Sequence, residues 1–114
     1  MIASTLREVV ICEPLRTPIG RFGGVFKDVA PATLASTVIA ALLVRTGIDG
    51  AVVDDVILGQ AYPTAEAAPI ARVAALNAGL PVTVGGLQLD RRCGSGLQAI
   101  LDAAMQIQTG VSDV

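Results

Sequence analysis

A chain of 114 residues with a formal charge of −2 and a pI near 4.8 fits one small domain, or an incomplete piece of a larger one. It lacks the dense positive field that broad nucleic-acid binding requires. An apolar fraction of 53%, rich in alanine, with only 3% aromatic residues excludes a disordered composition and suits helices packed closely on a sheet.

Met1–Val10 carries Arg7 and Glu8 where a secretory leader needs an apolar core, so no leader is visible. Glu8–Cys12 is a short apolar, β-branched run that reads as the first strand. The following loop, Glu13–Ala30, holds Arg16, Arg21 and Lys27 among prolines and glycines. It is much longer than an ordinary connection, which is characteristic of functional or mobile loops. Pro31 then suits the first turn of a helix, where its missing N–H costs nothing. Leu34, Val38 and Leu42 form the apolar stripe of that helix, Ile39 and Leu43 broaden it, and Gly47 stops it. Within it, the greasiest run, Val38–Val44, ends at Arg45, far short of the roughly 20 residues of a membrane span.

Asp54–Gly59 reads as a second strand, its consecutive Val56, Ile57 and Leu58 pointing to burial on both faces. After the loose stretch Gln60–Pro69, a second helix places Ile70, Val73 and Ala74 on one face and ends at Gly79 and Pro81. Val82–Asp90 reads as a third strand, with Leu87 and Leu89 opposite Gln88 and Asp90. A third helix follows Cys93, with Leu97, Ile100, Leu101 and Ala104 as its apolar stripe and Gly110 as its stop. Val111–Val114 resembles the approach to a fourth strand. The order β-α-β-α-β-α implies a parallel sheet covered by helices. Three strands leave an edge and sheet faces uncovered, so independent folding is not expected.

Ligands of open parallel sheets bind beyond the carboxyl ends of the strands. Cys93 falls at such an end and directly before a helix, where free N–H groups and the helix dipole favour a thiolate. Gly94 and Gly96 permit a sharp turn and close approach of a substrate to the backbone. Amides of the same turn suit an oxyanion formed when a thiolate attacks a thioester carbonyl. The alternative is a small buried thiol, the commoner fate of free cysteines. Cys12 has no such setting and reads as core. Ser95 reads as a turn or capping residue, because Gly94-Ser95-Gly96 departs from the nucleophile elbow of hydrolases. The cations of the first loop, with Arg91 and Arg92, should open on one side of the sheet, either toward a phosphate-bearing ligand or simply into solvent. No metal-ligand cluster, P-loop or dinucleotide fingerprint is present. The two cysteines do not suggest a disulfide framework, which points to a reducing cytoplasm. There is no histidine, so any imidazole base must come from another segment.

The segment Asp90-Arg91-Arg92-Cys93-Gly94-Ser95-Gly96-Leu97-Gln98-Ala99 resembles the nucleophile segment of thiolases, the acetyl-CoA acetyltransferase and 3-ketoacyl-CoA thiolase family. Arg16-Thr17-Pro18-Ile19-Gly20, Phe22-Gly23-Gly24, Asp55-Val56-Ile57-Leu58-Gly59, Ala71-Arg72 and Ala78-Gly79-Leu80-Pro81 follow that family's order and spacing. The resemblance covers nearly the whole chain. It implies an α/β fold, here residues 1–114 as an incomplete N-terminal portion of a five-layered αβαβα architecture whose family members are much longer. It implies that Cys93 takes an acyl group from a thioester, with its own N–H helping to hold the oxyanion and with Gly94, Ser95 and Gly96 supporting the turn. Thiolysis of a 3-oxoacyl-CoA by CoA, or the reverse Claisen condensation, would follow in lipid metabolism such as fatty-acid β-oxidation.

No bound cofactor or metal is implied; CoA and acyl-CoA are substrates. The expected partners are the C-terminal remainder, which supplies the base histidine and a second cysteine, and further copies in a cytoplasmic homodimer or homotetramer. No nucleic acid and no membrane span are expected. Val82–Asp90 would be a strand at the dimer interface. One departure stands out: the family commonly has asparagine where this chain has Asp90, whose charge opposes a thiolate unless Arg91 or Arg92 neutralises it. A non-catalytic acyl-CoA or lipid carrier, and a ketoacyl synthase of the same fold, are the competing functions. The Arg16-to-Gly24 motif favours thiolase over the synthase.

Overall fold

The computed structural model describes residues 5–114; the first residues of the segment read as lacking a leader lie outside the described residues. Helix α1 (Pro31–Thr46) starts on Pro31 and ends at Gly47, which takes the left-handed conformation (φ 66°) and returns its N–H to the Leu43 carbonyl. Strand β1 (Asp55–Gly59) leads through a loop to helix α2 (Ile70–Asn77), strand β2 (Gly85–Leu89), and helix α3 (Ser95–Thr109). The strands are parallel, with Asp55 opposite Gly85 and Gly59 opposite Leu89. A parallel pair needs a crossover, and α2 supplies it.

Alternation along the strands sorts the helices onto opposite faces. Val56 joins the cluster of Ala75, Leu80 and Val84 with Ile39 and Leu43 of α1. Its neighbour Ile57 instead lines a small cavity with Ala103 and Ile107 of α3. On β2, Gln88 faces α2, where its Oε1 accepts the Ile70 N–H at 2.7 Å. That side chain satisfies one of the free amides at the start of α2, where the preceding Pro69 supplies no side-chain cap. Leu87 and Leu89 fall on the opposite face, as the alternation predicts.

The helices stand where their caps put them, but five expectations are corrected. Glu8–Cys12 is not a strand: a strand exists only by pairing, and no ladder forms along it. The main-chain bond near it runs from the Arg7 N–H to the Gln108 carbonyl at the end of α3. The described sheet therefore has two strands. Cys12 accordingly is exposed rather than core, bordering a groove with Ile39, Leu43 and Leu80.

The third strand begins later than read, because Pro81–Val84 closes as a turn with the Val84 N–H on the Pro81 carbonyl at 3.1 Å. On α3, Ser95 and Ala99 are the buried residues, whereas Leu97, Ile100 and Leu101 are exposed. Small side chains let the helix approach the sheet closely and leave the large apolar ones outward. Val111–Val114 forms no strand, though the Asp54 N–H reaches the Val114 carbonyl at 2.9 Å alongside β1. Among the described residues, no helix is long and apolar enough to cross a membrane.

Candidate active site

Cys93 occupies a single 3-10 turn, Arg92–Gly94, between the carboxyl end of β2 and the first residue of α3. Its thiol is exposed. Burial in hydrocarbon, which would exclude nucleophilic chemistry, is therefore not its state. The turn is fixed from within. The Gly94 N–H bonds to the Arg91 carbonyl at 3.0 Å, and the Ser95 N–H bonds to the Arg92 carbonyl.

Ser95 is buried, and its hydroxyl serves both sides of the bend. It accepts the Arg91 N–H at 2.8 Å and donates to the Arg92 carbonyl at 2.7 Å. These two bonds tie Ser95 into the bend. The amides of Gly94 and Ser95 are engaged in the turn, and none of the turn's own bonds uses the Cys93 N–H.

The unusual backbone angle lies where the glycines do not. Gly94 has φ −89°, whereas Arg92 sits at φ 49° in the left-handed region. A Cβ on Gly96 would meet nothing within 4 Å, so open space lies beside the first turn of α3. Close approach is needed instead at Gly59, the last residue of β1. A Cβ there would lie 2.6 Å from the Ser95 carbonyl oxygen and 2.7 Å from the Gly96 nitrogen. The end of β1 and the start of α3 touch backbone to backbone, which seats the cysteine turn against the sheet.

Asp90, the departure from the common asparagine, is neutralised locally. Its carboxylate accepts the Arg92 N–H at 2.9 Å and forms an ion pair with the Arg92 guanidinium. Arg91 reaches forward to the Gln98 side chain on α3. Both arginines are thus tied to the bend through one guanidinium nitrogen each. Arg16 borders an apolar groove with Leu58, Gly59 and Gln60, while Arg21 and Lys27 border a different one with Phe22 and Phe26. Arg16 thus lies by the carboxyl end of β1, and the two grooves adjoin through Thr17 and Leu34. Sequence reasoning also missed Gly59 at the end of β1 and Ala61 and Tyr62 in the loop after it, which meet the turn. The G at the end of the Asp55–Gly59 run was the available signal.

Residues 9–114 match the N-terminal domain of thiolases. This chain belongs to the thiolase family. A crystal structure of the Bacillus anthracis acetyl-CoA acetyltransferase superposes with a TM-score of 0.93 at 47% identity, covering 97% of this chain and 28% of that one. The 3-oxoadipyl-CoA/3-oxo-5,6-dehydrosuberyl-CoA thiolase of Escherichia coli K12 is 45% identical over 111 residues, 96% of this chain and 28% of its own length. The β-ketothiolase BktB of Cupriavidus necator is 44% identical over 109 residues, 95% of this chain and 28% of that relative. The chain thus spans about 28% of the length of these thiolases. The α/β architecture, with parallel strands and a crossover helix, is that of the thiolase N-terminal portion.

Proposed function

We propose that residues 1–114 are a partial N-terminal thiolase domain carrying the nucleophile of an acyl-CoA:acyl-CoA C-acyltransferase, with Cys93 as the residue acylated. The observation that carries this reading is an exposed thiol at the carboxyl end of β2, one turn before α3, within the segment shared with thiolases. In the degradative direction the Cys93 thiolate attacks the 3-oxo carbon of a 3-oxoacyl-CoA. The C2–C3 bond breaks, its electron pair leaves with C2, and protonation there gives acetyl-CoA. The thiolate of CoA then attacks the acyl-cysteine, releasing the shortened acyl-CoA and restoring Cys93. The reverse sequence is a Claisen condensation.

The Cys93 N–H stabilises the oxyanion of each tetrahedral step, and Gly94, Ser95 and Gly96 hold the bend. CoA is a substrate here rather than a resident cofactor. This chain has no histidine, so the base must arrive from another segment, and residues 1–114 alone are inactive in this scheme. The open edge of β2 supports pairing with a second copy in a cytoplasmic homo-oligomer. The relatives' names favour thiolase over ketoacyl synthase chemistry.

The test is Cys93→Ala in the full-length natural protein, assayed for thiolysis of a 3-oxoacyl-CoA, with mass spectrometry of the trapped wild-type acyl-enzyme. Loss of turnover and an acyl adduct on the Cys93 peptide are expected. Substantial thiolysis by Cys93→Ala overturns the assignment.

A further inference from the structure

Both main-chain polar groups of Arg92 and its guanidinium Nη1 are engaged, although its side chain is largely in solvent. Its N–H donates to Asp90 Oδ1 at 2.9 Å, and its carbonyl accepts the Ser95 hydroxyl at 2.7 Å. Its guanidinium pairs with the Asp90 carboxylate and donates to the Ala61 carbonyl at 2.6 Å. The same guanidinium lies 5.2 Å from the centroid of the Tyr62 ring, within range of a cation–π contact. Ala61 and Tyr62 belong to the loop that leaves β1, whereas Arg92 directly precedes the thiol. One side chain therefore ties the loop after β1 to the bend after β2.

The left-handed φ of 49° at Arg92 is uncommon for a residue with a side chain and persists only where its surroundings hold it. An exposed ion pair alone stabilises little. Donation from one nitrogen, Nη1, to acceptors on two segments, with the flat guanidinium set against the Tyr62 ring, by contrast, defines a geometry that a compact ammonium reproduces only in part.

We infer that Arg92 is a positioning residue for Cys93: its guanidinium, bridging Asp90 and Ala61, holds the bend in the orientation that presents the thiol to the acyl carbonyl. This rests on the proposal that Cys93 is the acylated nucleophile. Arg92 touches neither substrate nor sulfur in this role. Its effect on rate is one of alignment, in which displacement of a reacting group by about 1 Å lowers rate by up to about 100-fold.

The test compares Arg92→Gly, Arg92→Lys and Cys93→Ala in the full-length natural protein, with active sites counted by stoichiometric iodoacetamide labelling of Cys93. Glycine suits the left-handed angle, so Arg92→Gly removes the guanidinium without backbone strain and guards against simple misfolding. The expected result is a kcat per labelled site about 10- to 100-fold below wild type, with KM within about twofold. Arg92→Lys should recover only part of the loss. Wild-type kcat per labelled site in Arg92→Gly, while Cys93→Ala is inactive, overturns the positioning role and leaves the acyl-transfer proposal standing. Turnover by Cys93→Ala removes the proposal itself. A change confined to KM also overturns the inference, because alignment of the nucleophile acts on the chemical step.

Discussion

Ser95 illustrates what a single buried hydroxyl does for a reactive bend. It accepts from Arg91 on one side and donates to the Arg92 carbonyl on the other. Ser95→Ala leaves the Arg91 N–H without its partner, and an unmet buried donor costs about 1–3 kcal/mol. Urea unfolding of the full-length protein should show a loss of this order with an unchanged denaturant slope. A loss below about 0.5 kcal/mol would show that water replaces the hydroxyl. The position of Cys93 was legible because an apolar strand, a short turn and a helix stripe bracket it. The conformation of the bend was not. Its left-handed residue is Arg92 rather than either neighbouring glycine, because side-chain contacts to Asp90 and Ala61, distant in sequence or unsignalled by pattern, hold that angle.

At the scale of elements, the seating of the bend depends on how closely β1 meets α3. Gly59→Ala would drive a methyl into the Ser95 carbonyl region, so strand and helix must separate. Overpacking of this kind typically costs about 1–3 kcal/mol. Thermal unfolding should register that loss, and kcat should fall with it, since α3 carries the turn. A variant with wild-type stability and turnover would show that the contact is dispensable. Helix limits were legible through Pro31, Gly47 and Gly110, each with a defined backbone reason. The first strand was not, since pairing is a property of two segments and Glu8–Cys12 shows no ladder partner. Nor was the buried side of α3. Periodicity marks an apolar face without saying what that face meets, and here Ala99 and Ser95 turn toward the sheet.

A second element-scale contact is sensitive to pH. Asp54, just before β1, accepts the Asp113 N–H at 2.6 Å and the Val114 N–H at 3.2 Å. Those amides, Asp113 foremost, stabilise the ionised carboxylate and lower its pKa below the ordinary 3.8. With the folded value below the unfolded one, the contribution is present above the unfolded pKa and is lost as pH falls through the folded pKa. Asp54→Asn should therefore lower Tm at neutral pH and reduce the steepness of the decline below about pH 4. An unchanged acid limb in that variant would assign the decline to other carboxylates.

Among the described residues the fully buried set is small: Val84 is the largest side chain with almost no exposure. Leu97, Ile100, Leu101 and Met105 stand exposed at helical spacing along α3, forming one apolar face. Contiguous apolar surface of this kind is unusual on an independent soluble monomer. The same 114 residues contain an accessible thiol but no histidine to move a proton. Two consequences follow for residues 1–114 produced alone. They should self-associate and bind a hydrophobic dye, because the α3 face has no cover. They should also accept iodoacetamide at Cys93 while giving no thiolysis of a 3-oxoacyl-CoA, since attack by the sulfur and proton transfer at C2 require separate groups. Gel filtration and dye fluorescence check the first, and labelling stoichiometry with a thiolysis assay checks the second. A monomer with a sharp unfolding transition would refute the first expectation. Turnover by these residues alone would refute the second, because it would place a sufficient base among the carboxylates, amines, thiols and phenol of this chain.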